Sequence, residues 1–320
     1  MSSGQFIGSM GSPATLGEAH LTGERGSRHQ VVCRWRADER ENLRPWRFYR
    51  NVIRCGLYLT ERARLTPGDR VVSLAPLSGE RLILEWAVLA QGGVSVALDP
   101  AMPLSDLESA LRALTPRIVL VAGPDCRAKL ARVADALGLD TLILLDRKAE
   151  GATAWHTVMD LGGTLDTAER AQMFRARARG LAPSMPALGF LTPPGRSPRA
   201  AWQTMTHEEA LRSMRAMQAR ITPAGDGVAY VRGNATTPTS RLALLSFLAD
   251  GTTTTFIGSA GREPTEIDAL KPHVLVAPEE VICRRGARAR PSGTLGALVD
   301  RWTRRAEDFE THWKALPTTE

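Results

Sequence analysis

Residues 65–123 read LTPGDRVVSLAPLSGERLILEWAVLAQGGVSVALDPAMPLSDLESALRALTPRIVLVAG, and this stretch decides the fold class. The apolar run VVSLAPL (71–77) follows a Pro-Gly-Asp turn and predicts a buried strand. The segment that begins at Glu80 predicts a helix ending at a Gly-Gly pair. VSVALDP and RIVLVAG then predict two more strands, with SDLESALRAL as a helix between them. Because strand and helix alternate as far as Asp146, the sequence predicts an α/β fold with a parallel sheet.

Two segments of the first half return in the second half: ARLTPGDRVVSL (63–74) as ARITPAGDGVAYV (219–231), and ALTPRIVLVAGP (113–124) as ALKPHVLVAPE (269–279). The prolines of both pairs, at 67 and 223 and at 116 and 272, are separated by the same 156 residues. This shared offset predicts two similar layered α/β subdomains packed side by side. The alternative is that any two strand-helix units share such turns.

The chain divides into four predicted segments. These are a disordered leader over residues 1–30, a first α/β subdomain with a crossover segment over 31–185, a second α/β subdomain over 186–285, and a basic linker with an amphipathic helix over 286–320. The leader is rich in Gly and Ser and shows neither helical nor strand periodicity, which is typical of a segment that cannot bury enough apolar surface to fold.

The charge is concentrated near the end of the chain. The formal net charge is +7, and residues 284–305 hold seven arginines and one aspartate. A nucleic-acid-binding fold usually spreads its basic residues over one face, so this placement argues against nucleic acid as a partner. It predicts at most a weak contact with an anionic surface through residues 284–305.

The cysteines and the apolar runs indicate a cytoplasmic protein. None of the 4 cysteines lies at a metal-ligand spacing from another cysteine or a histidine, which predicts reduced thiols and no metal site. No run of about 18 apolar residues and no signal sequence is present, so we expect no transmembrane segment.

The run over residues 65–123 resembles the N-terminal region of the AMP-forming acyl-CoA synthetases, the adenylate-forming ligases. The later order of segments, with TAERAQMFRARARGLAPSMPALGFLT, THEEALRSMRAMQARI and IDALKPHVLVAPEEVICR, is most similar to the long-chain fatty acyl-CoA synthetase branch. The resemblance covers about residues 31–285. It implies the two α/β subdomains of that family's N-terminal domain, here without the C-terminal lid domain.

The resemblance implies a chemistry in two steps, in which ATP and a carboxylate form an acyl-adenylate and a CoA thiol then displaces AMP. The implied cofactors are ATP or AMP with Mg and CoA. The family's phosphate loop reads T-S-G-T-T-G-x-P-K-G and is followed by T-H; the matching segment here is LTPPGRSPRAAWQTMTH (191–207). It supplies a degenerate set of candidate ATP-binding residues: Thr192, Gly195, Ser197, Arg199, Thr206 and His207. The alternative for Arg199 is an exposed side chain beside a loop, and for His207 local packing at a helix start.

The loop has lost most of the family's small residues. Prolines at 193 and 194 remove N–H donors and fix φ, and Arg196 adds bulk where the backbone should approach phosphate. No Y-G-x-T-E motif follows. The sequence therefore predicts an acyl-CoA synthetase-like protein that is non-catalytic or strongly impaired, so no cofactor is expected to bind tightly.

Two other classes of function remain open. The chain could be a fatty acid-CoA ligase or half-ligase completed by another chain, or a peripheral module whose arginine-rich tail docks on acidic lipid or nucleic acid. An amphipathic helix over residues 295–316 predicts a protein partner, self-association, or docking within the chain.

Overall fold

The computed structural model describes residues 12–26, 32–36, 39–139, 141–145, 151–191, 202–221, 227–250, 254–258, 263–276 and 281–283. Its strands are β1 Val32–Arg36, β2 Glu39–Leu43, β3 Arg70–Leu74, β4 Val94–Ala97, β5 Ile118–Val121, β6 Leu142–Leu144, β7 Thr153–Ala154, β8 Pro186–Leu191, β9 Trp202–Thr206, β10 Val228–Val231, β11 Thr254–Ile257, β12 Val274–Val276 and β13 Val281–Cys283. Its helices are α1 Leu16–Gly26, α2 Pro45–Glu61, α3 Gly79–Ala90, α4 Leu104–Leu114, α5 Pro124–Ala131, α6 Ala134–Leu137, α7 Trp155–Leu165, α8 Ala168–Arg179, α9 His207–Ile221, α10 Pro238–Asp250 and α11 Glu263–Leu270.

The strands form two sheets. One has seven strands in the order β7-β6-β5-β3-β4-β8-β9, and the other has six in the order β13-β12-β10-β11-β1-β2. All neighbours in the first sheet are parallel except β8 and β9. In the second sheet the antiparallel pairs are β1 with β2 and β12 with β13. The predicted α/β class with parallel sheets is therefore confirmed.

The two sheets contain the predicted repeat. The unit β3-α3-β4-α4-β5 gives the strand order β5-β3-β4, and β10-α10-β11-α11-β12 gives β12-β10-β11. Thr115 and Lys271, which are 156 residues apart, both adopt positive φ, 41° and 47°, immediately before a proline. Each ends its helix by donating its N–H to a carbonyl four residues back, at 2.8 Å in both cases. The pair at 116 and 272 is thus equivalent in three dimensions; residue 223 lies outside the described residues.

The predicted boundaries between the subdomains need correction. β1 and β2 belong to the six-stranded sheet, because β1 pairs with β11, although the sequence placed them in the first subdomain. β8 and β9 were placed in the second subdomain but extend the seven-stranded sheet through β4. The alternation of side chains along a strand is local, and it does not indicate which of two sheets the strand joins.

The prediction of a disordered leader is wrong for residues 12–26. Leu16, Ala19 and Leu21 of α1 are buried, and the helix packs against α3, α8, α9 and α10. The Gly17 backbone approaches Ala178 so closely that an added Cβ would meet its carbonyl oxygen at 2.8 Å. Burial against other helices stabilises a segment whose own composition would not fold.

The two sheets share one hydrophobic core. Its members include Val71 of β3, Trp86 of α3, Ala229 of β10 and Leu242 of α10. Residues 81–90 of α3 are all buried, as expected for a helix enclosed between layers. Among the described residues, no helix has both the length and the apolar character needed to cross a membrane.

Candidate functional site

The carboxyl ends of parallel strands from both sheets meet at one place. Ala75 and Ser78 follow β3, Asp99 follows β4, and Asn234 and Ala235 follow β10. The Asn234 side-chain amide donates to Asp99 Oδ1 at 3.3 Å, which links the ends of β4 and β10 across the two sheets. We call these five residues the shared edge. In open α/β sheets, ligands bind outside the carboxyl ends of the strands, so the shared edge is the candidate functional site.

The candidate phosphate loop begins at the same edge. β8 runs parallel to β4, with Ser95 opposite Leu188 and Val96 opposite Gly189, so both strands end on the same side of the sheet. The loop leaves β8 after Leu191. Four of the predicted ATP-binding residues, Thr192, Gly195, Ser197 and Arg199, belong to it and lie outside the described residues.

Arg81 is buried behind the shared edge, with 1% of its surface exposed. Its backbone N–H is capped by Ser78 Oγ at 3.2 Å, and its guanidinium donates to the carbonyls of Ala75 at 3.1 Å and Ala235 at 3.4 Å. Desolvation lowers the pKa of Arg81 to about 10, with Glu85 opposing that shift, so the side chain stays cationic at neutral pH. Arg81 therefore ties the loop after β10 to the loop after β3.

Ala235, whose carbonyl accepts this hydrogen bond from Arg81, has an unusual backbone conformation. Its φ is 43°, in the left-handed region that residues with a Cβ seldom occupy. The residue is also buried. The bond from Arg81 to the Ala235 carbonyl helps to hold this conformation at the edge.

Arg241 of α10 forms a second buried tie between the two units. Its Nε donates to Glu85 Oε1 at 2.6 Å, and its Nη1 donates to the Gly189 carbonyl at 3.1 Å. Its Nη2 donates to the carbonyl and the hydroxyl of Ser95 at 2.9 and 2.8 Å. Arg241 and Glu85 are 1% and 4% exposed. The guanidinium is thus fully engaged by protein groups from α3, β4 and β8.

Thr206 serves as a helix cap. Its backbone N–H and its hydroxyl both donate to Glu209 Oε2, at 2.8 and 3.0 Å. The Glu209 N–H donates back to Thr206 Oγ1 at 3.2 Å. This reciprocal pattern is a capping box, which satisfies free backbone donors at the start of α9. The hydroxyl of Thr206 is therefore committed to the helix.

His207 is fully buried at the first position of α9. Its Nδ1 accepts a hydrogen bond from the Leu16 N–H at 3.2 Å, and its own backbone N–H donates to the Met185 carbonyl at 3.0 Å. Burial lowers the pKa of His207 to about 4, so the ring is neutral at physiological pH. The histidine holds the start of α1 in place.

Sequence reasoning missed the charged residues that lie behind the shared edge. Arg81, Glu85 and Arg241 lie in apolar helical segments, where a charged side chain normally points to solvent. The available sign was one arginine near the start of each of two largely apolar helices. Asp99 could have been chosen because it lies near the end of the predicted strand VSVALDP, and Asn234 because it comes soon after VAYV (228–231), the counterpart of a predicted strand.

The chain matches no protein-family model and no curated protein. Its structure is similar to the luciferase-like enzyme from the mealworm Zophobas morio, with a TM-score of 0.68 and 18% identity over 85% of this chain and 61% of that one. It is equally similar to a protein assigned as a long-chain-fatty-acid CoA ligase from Rhodopseudomonas palustris, with a TM-score of 0.68 and 15% identity over 90% of this chain and 66% of that one. The N-terminal domain of FACL13 from Mycobacterium tuberculosis matches with a TM-score of 0.60 and 16% identity over 82% of this chain and 62% of the other.

The chain has the fold of the N-terminal domain of AMP-forming ligases. This confirms the resemblance seen in the sequence and the predicted fold class. The chain spans 61% and 66% of the lengths of the first two structures.

Of the five residues of the shared edge, Asp99 is a carboxylate and none is a cation. The buried guanidinium groups of Arg81 and Arg241 donate to protein oxygens. Among the residues that the structure describes, no group of three His, Cys, Asp or Glu side chains could hold a metal ion. In this AMP-forming ligase fold, the polyphosphate would have to be held by the loop after β8, which carries two prolines and Arg196.

Proposed function

We propose that this chain is an acyl-CoA synthetase-like protein in which adenylation is absent or strongly impaired. The observation that carries the proposal is the sequence of the loop that leaves β8 at the shared edge. Pro193 and Pro194 have no N–H to donate, and Arg196 places a long side chain among positions where the family has small residues. A pyrophosphate leaving group needs preorganised donors, and this loop has lost several of them.

The described candidates support the same proposal. Thr206 is engaged in a helix cap and His207 holds α1. Thr206 lies opposite Pro186, at the beginning of β8 and not at the end from which the loop leaves. The fold would then serve to bind a partner or a ligand rather than to form an acyl-adenylate.

A second candidate function is a fatty acid-CoA ligase, or half of one completed by another chain, using ATP, Mg and CoA. The observation that favours it is the retained architecture of the edge, where strands from both sheets end together and Asp99 stays exposed. In that case the missing donors would come from a second polypeptide. The partner-binding or self-associating helix over residues 295–316 and the anionic contact through 284–305 are proposals of the same kind; both segments lie outside the described residues.

We also propose that the chain works in the cytoplasm. Cys55 and Cys126 are buried free thiols, and burial raises the pKa of the Cys55 thiol. Such thiols persist in a reducing compartment.

Pyrophosphate exchange tests the proposed function directly. The purified chain is incubated with ATP, magnesium, labelled pyrophosphate and a series of fatty acids, and exchange should stay at background. Exchange above background that is lost in Arg199→Ala but kept in Arg132→Ala, an exposed arginine far from the loop in sequence, would instead establish the ligase.

A further inference from the structure

The exposed face of α2 combines an aromatic side chain with several arginines. Among residues whose side chains the structure describes, the exposed large hydrophobic ones are Trp46, 65% exposed, and Met173, 58% exposed. Trp46 and Arg50 are four positions apart, as are Arg50 and Arg54, so they lie along one face of the helix. Arg47 stands beside them, and Arg44 immediately precedes the helix. We call these five residues the α2 patch.

The opposite face of α2 is ordinary core. Phe48, Tyr49, Val52 and Ile53 are all buried. A single exposed hydrophobic residue is common and needs no explanation. The α2 patch differs because its tryptophan is surrounded by arginines. The other face of the helix already packs against the core, so the exposed tryptophan is not needed to anchor the helix.

The charges of the α2 patch oppose local helix stability. The first turn of α2 has no acidic residue, and Arg44 makes no side-chain cap. The positive end of the helix dipole disfavours cations there and favours carboxylates. By contrast, α3 and α8 begin with hydroxyl caps and an acidic residue in the first turn. The arginines at the start of α2 thus do not stabilise the helix, but they can bind an external anion.

Within the described part of the chain, only one carboxylate forms ion pairs with the arginines of the α2 patch. Asp166 Oδ2 accepts from Arg50 Nε at 2.9 Å and from Arg54 Nε at 3.1 Å. The side chain of Arg50 remains 56% exposed. Arg44 and Arg47 are exposed, and neither has an ion-pair partner among the described residues. The α2 patch therefore keeps a positive excess.

We propose that the α2 patch docks this protein on the surface of an anionic phospholipid bilayer. An indole ring prefers the boundary between the hydrocarbon and the headgroups, and arginines beside it reach the phosphates while their stems cover apolar surface. A bilayer offers an apolar medium directly beneath a layer of anions. An acidic polypeptide offers the anions without that medium, so the bilayer suits both components of the α2 patch.

Vesicle flotation with the full chain tests this proposal. Phosphatidylcholine vesicles containing phosphatidylglycerol should carry the protein, pure phosphatidylcholine vesicles should not, and added salt should release it. Arg47→Ala should weaken binding about fivefold, the usual effect of one arginine near an anionic surface. Lipids brominated on the acyl chains should quench part of the tryptophan fluorescence, and Trp46→Phe should remove that part.

The double variant Met173→Ala/Arg132→Ala is the matched control, because both residues are exposed and neither belongs to the α2 patch. It should bind like the wild-type chain, whereas Trp46→Ala/Arg47→Ala should not; equal thermal midpoints would show that both variants fold. Undiminished binding of the second variant would overturn the proposal. Absence of binding to anionic vesicles, or binding to polyglutamate without dependence on Trp46, would overturn it as well.

Discussion

Acid should destabilise this protein through His207. The ring accepts the Leu16 N–H on Nδ1, so it must be neutral in the folded chain, and burial lowers its pKa from 6.5 to about 4. A folded pKa below the unfolded one means that stability is complete above pH 6.5 and is lost as the pH falls toward 4. The difference between the two pKa values corresponds to about 3 kcal/mol of unfolding free energy once the pH is below both. Between pH 7 and pH 5 the loss is about 2 kcal/mol.

Urea unfolding at pH 7 and pH 5 measures this loss. In His207→Gln the side chain at this position no longer titrates. The free energy of unfolding of this variant should therefore fall by about 2 kcal/mol less than that of the wild-type chain between the two pH values. His156→Gln, the same change at an exposed histidine on α7, is the matched control.

The comparison remains valid if His207→Gln is less stable at pH 7, because the measured quantity is the change between the two pH values. His20, which stacks near Tyr49 and Trp86, keeps its own contribution in that variant, since burial and then Arg175 lower its pKa to about 3. If His207→Gln lost as much stability as the wild-type chain on going to pH 5, the assignment of a neutral, buried His207 would be refuted.

Two further predictions concern packing and buried charge. Glu85→Ala should cost about 3–5 kcal/mol in urea unfolding because it leaves the buried Arg241 without its carboxylate, and Glu85→Met/Arg241→Met should recover much of the loss. Gly162→Ala should destabilise by more than about 1 kcal/mol, since its Cβ would overlap the Arg54 backbone, whereas Gly163→Ala, with nothing nearer than 3.9 Å, should be neutral or stabilising in thermal melts. A fall in the midpoint for Gly163→Ala, or none for Gly162→Ala, would contradict the helix packing described here.

Local sequence patterns were sufficient to predict the strands and helices that show a clear apolar periodicity. Strands β3, β4 and β5 are each four or five residues of almost unbroken apolar sequence between turns, and the repeat supplied their counterparts. Which sheet β1 or β8 joins depends on partners far away in the chain, so no local pattern indicates it. For the same reason α1 was missed, because its hydrogen bond to His207 spans 191 residues.

The candidate site was predicted in part. Its location after β8 follows from the resemblance, since the eroded loop leaves the carboxyl end of that strand. The buried contacts of Arg81 and Arg241 could not be anticipated, because an arginine is normally solvated. Arg241 can be buried because it pairs with Glu85, a carboxylate 156 residues away in the chain.

The two buried arginines lie near the starts of the corresponding helices of the two units. After the first strand of each unit, a hydroxyl caps the next helix: Ser78 Oγ accepts from the N–H of Arg81, and Thr237 Oγ1 accepts from Ser240, the residue before Arg241. Each helix thus carries an arginine in its first turn or just after it, and each arginine reaches the other unit. The guanidinium of Arg81 bonds to a carbonyl after β10, whereas that of Arg241 bonds to β4 and β8. The corresponding helix starts of the two units therefore hold the sheets together at the shared edge, and we infer that this pair of arginine contacts fixes how the two units meet.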